Sequence, residues 1–296
     1  MCVYELCDSG DGVCYDQMTF PTYRPFLNEI GCNPNLFSYT AKTNGNPIGL
    51  GLVKIDPAQK EGEILSLFVE KDHRSHGVGT GLLVAIEKEL TQRGCNKAKV
   101  IYDQTVPGAL ALEHILAKHH WSTPQPRMLL GRAGRAILET AWFKGSRIER
   151  PFETFPWGTL AYAEREELVT TEKKSPWVPE FLWPFDYEEN LEPCNSLGLR
   201  YQNQVVGWVI TNRIAPNAIR YSALVIRKEY RGHGRTFALL AESIRLQVQT
   251  LGINSIGTFG VWLNNKAMTH IIRKNFAPYL LSLSQTQVSE KKLHGS

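Results

Sequence analysis

Two stretches of the chain combine an arginine, a histidine and glycines at spacings suited to holding an anion. They are HRSHGVGTGLL (His73–Leu83) and YRGHGRTFALL (Tyr230–Leu240). Aligned on Arg74 and Arg231 they run together without a gap. Each follows a short apolar strand and opens an amphipathic helix. The first turn of a helix carries backbone N–H groups without partners, and its dipole favours negative charge. Glycine lets the backbone approach an anion and adopt positive φ. In the first stretch Gly77, Gly79 and Gly81 stand where the turn must be, and Arg74 adds a cation at its mouth. The candidate binding segment is therefore Arg74, Ser75, His76, Gly77, Val78, Gly79 and Thr80. Its second-site counterpart is Arg231, Gly232, His233, Gly234, Arg235 and Thr236. His76 and His233 recur at one loop position. Contact with phosphate is one role for them, but the backbone is the expected ligand and any polar residue suits the turn.

The spacing excludes two common phosphate sites. A dinucleotide fingerprint needs GxGxxG, and a P-loop needs GxxxxGK[ST]; neither stretch complies.

The elements that would position these loops are also duplicated. NGNPIGLGLVKIDP (Asn44–Pro57) matches NQVVGWVITNRIAP (Asn203–Pro216). EILSLFV (Glu63–Val69) matches RYSALVI (Arg220–Ile226), each apolar enough for a strand covered on both faces. Leu82, Leu83, Ile86 and Leu90 form the stripe of the first helix, ended by Gly94. Phe237, Leu240, Ile244 and Val248 form that of the second, ended by Gly252. New strands follow at Ala98–Tyr102 and Ser255–Trp262. The expected class is α/β, with a mixed sheet in each of two tandem domains. Residues 1–140 form the first domain, 141–195 an aromatic-rich joining segment that starts the second, and 196–296 the second domain. The joining aromatics, Trp142 to Tyr187, are expected to pack between the halves; an apolar wall for a substrate is the other reading. Glu164–Lys174 reads as an exposed helix, and the polar tail from Ser282 as frayed.

Composition narrows the function. The 296 residues are 43% hydrophobic and 21% charged, with net charge +4. That is an ordinary globular balance, without the basic runs that would suggest nucleic acid. Four of six cysteines (Cys2, Cys7, Cys14, Cys32) crowd the first 32 residues, but no CxxC pair or nearby histidine completes a metal site. No metal is expected. Without a signal peptide or an apolar run of about 20 residues, the expectation is a cytoplasmic protein with no membrane span.

R-x-x-G-x-G/A after an apolar strand and before an amphipathic helix resembles the pyrophosphate loop of the GCN5-related N-acetyltransferase (GNAT) superfamily. Arg74, Gly77 and Gly79 fill all three positions, and Glu63 to Val69 resembles the family's fourth strand. The resemblance implies an acyl-CoA donor, with acetyl-CoA the default and a longer chain allowed, and an amine acceptor on a small molecule or peptide. It implies a gap between the fourth and fifth strands that admits the pantetheine arm. A main-chain N–H from Phe68 or Val69 would then meet the thioester carbonyl. Glu63 sits where several relatives keep a catalytic glutamate, whose pKa apolar neighbours would raise; a solvent-facing strand start is the other reading. Dimers are common in the family, but tandem domains can satisfy that interface within one chain.

The halves differ at the positions that matter. Arg220 replaces Glu63 and cannot be a base at neutral pH. Thr236 replaces Gly79, and its β-branch would crowd a close backbone approach. Conversely VWLNNKAMTHIIRKNF (Val261–Phe276) resembles the family's next motif through Asn264, Ala267 and Phe276. Its acid tyrosine is replaced by Ile271, and Leu116 stands near that slot in the first half. The thiolate then leaves unaided or takes a proton from another group, such as Tyr102. These features make the first half the expected catalytic domain and the second a degenerate copy. The better asparagine motif leaves the reverse assignment open. Besides acetyl transfer, two further readings stand: a fatty-acyltransferase lipidating a lysine or ornithine side chain of a peptide, and a non-catalytic acyl-CoA sensor.

Overall fold

The computed structural model describes residues 2–7 and 11–293, with the side chains of residues 11–14, Cys14 among them, outside the description. The chain divides into two compact units, Met1–Arg127 with Gln285–Ser296, and Met128–Ser284. This division differs from the one expected at residues 140 and 195, and the reason lies in strand pairing.

The first unit is built on β1 (Cys2–Leu6), β2 (Leu36–Thr43), β3 (Asn46–Asp56), β4 (Glu61–Val69) and β5 (Lys97–Asp103). They lie in that order, antiparallel except for the parallel pair β4–β5. A short α1 (Arg24–Leu27) precedes β2; α2 (Val78–Gln92) and α3 (Ala109–Lys118) flank β5 in sequence. The stripe Leu82, Leu83, Ile86 and Leu90 is wholly buried. Leu83, Ile86 and Leu90 meet Ile64, Val100 and Leu116 in one cluster, and Leu82 packs with Ala41, Ile48 and Val78 in another.

The tail does not fray from Ser282 to Leu293; its last three residues, 294–296, lie outside the described residues. Residues 286–292 belong to the last strand and pair antiparallel with β5, from Thr286 opposite Asp103 to Lys292 opposite Lys97. Without them β5 would present a row of unpaired N–H and C=O groups. The segment is polar because its side chains find polar partners. Gln287 donates to Gln104 at 2.8 Å, Ser289 to the Ser122 carbonyl at 2.7 Å, and Leu293 joins the core.

The second unit has β6 (Gln125–Ala133) from Met128 onward, β7 (Phe152–Pro156), β8 (Leu197–Tyr201), β9 (Gln204–Ala215), β10 (Ala218–Ile226) and β11 (Ile256–Trp262). Their order is β6-β11-β10-β9-β8-β7, with only β10–β11 parallel. A short α4 (Ala141–Gly145), then α5 (Tyr162–Lys174), α6 (Arg235–Leu251) and α7 (Lys266–Ile271) complete it. The final strand, β12 (Leu280–Lys292), begins here, where Leu280 and Leu283 join a cluster with Leu129 and Phe276.

The aromatic segment packs on this unit's own sheet. Trp157, Trp177 and Trp183 surround the fully buried Trp208 at centroid distances of 5.7, 5.2 and 6.2 Å. Two buried-side ion pairs tie the segment down: Arg200 with Glu164 at 2.7 Å, and Arg213 with Glu192. The hydrogen bond from Arg213 holds the Glu192 carboxyl below the usual carboxylate range, and Arg200 does the same for Glu164. A carboxyl with a depressed folded pKa contributes stability above its unfolded value and loses it as pH falls through the folded one. Stability should therefore fall below about pH 4. Glu192→Gln should flatten part of that acid slope, measured as urea midpoints between pH 7 and pH 3; an unchanged slope would remove the pair from the acid response.

Among the described residues no three His, Cys, Asp or Glu side chains converge as metal ligands, and no helix is long and apolar enough to cross a membrane.

Candidate functional site

Both glycine loops end in a left-handed glycine cap. Gly77, with φ of 80°, caps the N-terminus of α2, and Gly234, with φ of 71°, caps α6. That left-handed conformation strains any L side chain. The arginines act as struts. Arg74 Nε donates to the Val69 carbonyl at 3.0 Å, and Arg231 Nε to the Ile226 carbonyl at 2.7 Å. Each thus ties its loop to the end of the preceding strand. Ser75, His76, Gly77, Gly232 and His233 are exposed, Val78 is buried, and Thr80 and Thr236 are half-buried. Arg235 turns away: it donates to the Tyr230 carbonyl at 2.7 Å and lies 4.2 Å from the Phe152 ring. Gly81 has a packing role, since a Cβ there would meet the Tyr4 ring at 2.1 Å.

The parallel pairs also share a shape. β4 and β5 are paired only from Glu61–Lys97 to Ile64–Val100, β10 and β11 only from Ala218–Ile256 to Tyr221–Phe259. β4 keeps its ladder with β3 to Val69, and β10 with β9 to Ile226. Each therefore has one paired edge and one edge facing a widening gap. Phe68 and Val69 lie on that stretch, opposite Leu50 and Gly49 of β3.

The surroundings of the two loops differ. In the first unit, α3 packs beside the glycine loop. Ile115 Cδ1 comes to 3.3 Å from where a Gly79 Cβ would stand, and Leu112 and Leu116 complete the packing. Gly79 is thus held by neighbouring side chains. In the second unit a cavity of about 470 Å3 occupies the gap. Arg231 and Thr236 line its end nearest the glycine loop, and Leu224, Ile226, Val261 and Asn264 its walls. Thr236 faces this space, so its β-branch meets no crowding.

The family follows from sequence matching as well as shape. The profile of the Acetyltransferase (GNAT) family matches residues 6–112 and 154–276. The chain belongs to the GNAT family. A tandem GNAT protein from the clavulanic acid biosynthesis pathway, solved without acetyl-CoA, aligns over 100% of both chains at 11% identity and TM-score 0.71. A GCN5-related N-acetyltransferase from Sphaerobacter thermophilus aligns over 99% of this chain and 96% of its own, at 12% identity and TM-score 0.66. A glucosamine N-acetyltransferase region of a fungal multi-domain β-N-acetylglucosaminidase covers 98% of this chain and 38% of that one, at 12% identity and TM-score 0.66. At these identities the likeness is one of fold. A search of curated proteins returns no match.

In this GNAT protein the expected catalytic pair is not brought together. Tyr102 joins the core beneath α2 and α3 and donates to Glu113 Oε1 at 2.9 Å. Burial and that carboxylate push its phenol well above the ordinary value, so it gives up its proton reluctantly. Glu63 alternates with the core residue Ile64 and so faces away from α2. Its surroundings are charged rather than apolar, with Lys99 at 3.2 Å. Arg220, its counterpart, is exposed. Asn264 lines the cavity, while the neighbouring Asn265 caps α7 through a bond to the Met268 N–H at 3.1 Å.

The residues missed from sequence are the helix stripe itself. Phe237, Leu240, Ile244 and Val248 read as core, yet all four line the cavity and are only half-buried. A signal was present. At the shared offset their first-unit counterparts are Thr80, Leu83, Glu87 and Thr91. Glu87 is tied up by Trp121 Nε1 at 2.7 Å and Lys291 at 2.6 Å.

Proposed function

We propose that this protein is an acyl-CoA-dependent N-acyltransferase whose second unit holds the donor. The observation that carries the reading is the cavity between β10 and β11, which starts at the positive-φ glycine cap of α6. Its volume falls within the ~300–1,000 Å3 of small-molecule sites. The pyrophosphate meets the first-turn N–H groups of α6 and the Arg231 guanidinium. The pantetheine arm enters the gap, and main-chain N–H groups on the open edge of β10 stabilise the oxyanion formed when the amine attacks the thioester. No Asp or Glu is among the described cavity-lining residues, so the acceptor amine loses its proton to water rather than to a wall carboxylate.

The acceptor is an amine on a small molecule or peptide. The apolar stripe Phe237, Leu240, Ile244 and Val248 favours a second reading, transfer of a longer acyl chain to a lysine or ornithine side chain. Turnover in any amine assay discriminates both from a non-catalytic sensor.

Calorimetric titration with acetyl-CoA tests the assignment. One site is expected. Thr236→Glu sets a carboxylate beside the phosphates and should weaken binding at least about tenfold. Glu63→Gln should leave turnover unchanged. Full affinity in the first variant, or collapsed turnover in the second, returns the chemistry to the first unit.

A further inference from the structure

Deep in the same cavity lies a polar patch that has no counterpart in the first unit. Tyr221, Gln247 and Ser255 all line it, and Gln247 and Ser255 are 3% and 5% exposed. Asn195 Nδ2 donates to the Tyr221 hydroxyl at 3.3 Å, and that hydroxyl donates to Gln247 Oε1 at 2.7 Å. Gln247 Nε2 in turn donates to Ser255 Oγ at 3.1 Å. The chain of donors ends there. A primary amide has two N–H hydrogens and a serine hydroxyl has one. One hydrogen of Gln247 and the hydroxyl hydrogen of Ser255 have no acceptor among the described residues. Buried donors left in that state cost stability unless a ligand or water meets them.

The first unit has the same elements with a different solution. Ile64 stands at the position of Tyr221 and Leu90 at that of Gln247, and both are buried in its core. An aliphatic pair is therefore sufficient to join this strand to this helix. The Tyr–Gln pair of the second unit calls for another explanation.

Its depth indicates what it meets. Gln247 follows Thr236 on α6 by 11 residues, about 16 Å at ~1.5 Å per residue. The pantetheine arm from pyrophosphate to sulphur has about 14 bonds and spans a similar length when extended, at roughly 1.1–1.2 Å per bond. The sulphur thus arrives level with Gln247, near the last β10–β11 rung at Tyr221 and Phe259. An oxygen reached by Gln247 and Ser255 belongs to the first few carbons of the acyl group. The same cavity is also lined by Ile137, Leu138 and the exposed Ile253, which suit further methylenes.

We infer that the donor site selects acyl groups bearing a hydrogen-bond-accepting oxygen close to the thioester, of the 3-hydroxyacyl type. This rests on the second unit being the acyl-CoA site. The test compares butyryl-CoA with both stereoisomers of 3-hydroxybutyryl-CoA by calorimetry on the full chain, with free CoA as reference. One hydroxylated isomer should bind about tenfold tighter than butyryl-CoA, the value of a good buried hydrogen bond. Ser255→Ala and Gln247→Leu should bring that ratio close to one. Equal affinity of the wild-type protein for all three thioesters, with CoA still bound, overturns this inference alone. A ratio preserved in both variants overturns it too, by assigning the discrimination elsewhere. Failure of free CoA to bind instead sinks the donor-site reading beneath it.

Discussion

Ile244→Trp is expected to lower acyl-CoA affinity at least tenfold while leaving the melting temperature within a few degrees. Placing a larger side chain in a packed core costs about 1–3 kcal/mol, because neighbours are forced off their rotamers. Ile244 has no such neighbour on one side: it is half-buried, and the space it faces is the cavity. The indole therefore enters volume that the pantetheine arm needs, and the fold tolerates it. Calorimetry gives the affinity and a thermal melt gives the fold. The matching change in the first unit, Glu87→Trp, is no control of equal kind, because Glu87 holds Trp121 and Lys291. Retained affinity in Ile244→Trp would falsify the claim that the donor lies along α6. A large fall in melting temperature with lost affinity would show that Ile244 is core after all.

The second large effect concerns the tail. Removing residues 285–296 should unfold the first unit and leave the second folded. The segment supplies the whole antiparallel ladder on the free edge of β5, together with Leu293 and the bonds of Gln287 and Ser289. An edge bared in this way both loses its hydrogen bonds and invites aggregation. Gln287→Pro, opposite Tyr102, makes the same test with one residue, since proline removes a ladder donor to β5 and the side-chain bond to Gln104. Amide hydrogen exchange separates the units. Protection should vanish across Lys97–Asp103 and persist across Gln204–Ile226. Persistent protection of β5 in the truncated chain would make the last strand dispensable.

These two results mark the border between what is local in this chain and what is not. The duplicated loops, both helix stripes, the strands that flank them and the family resemblance were all legible in the sequence. Each depends on interactions within a few residues or on a period: a glycine cap, an apolar stripe, a short strand without polar gaps. The fate of each loop was not legible. Gly79 looked like the working position and Thr236 like a damaged one, because a glycine reads as room for a ligand. Here the room beside Gly79 is taken by Ile115, from a helix 30 residues further on, while Thr236 faces open space. Volume is set by which side chains meet across elements, and single positions do not encode it. The polar tail failed to read as a strand for a related reason. Its partner, β5, lies about 190 residues back, and a strand rich in Gln, Thr, Ser and Lys has no apolar alternation to announce it. The sequence by itself determined two acyltransferase folds, their glycine caps and the order of their elements. Only the tertiary structure decided where the cavity opens and which strand pairs with β5, because both are matters of long-range packing and edge pairing rather than of local pattern.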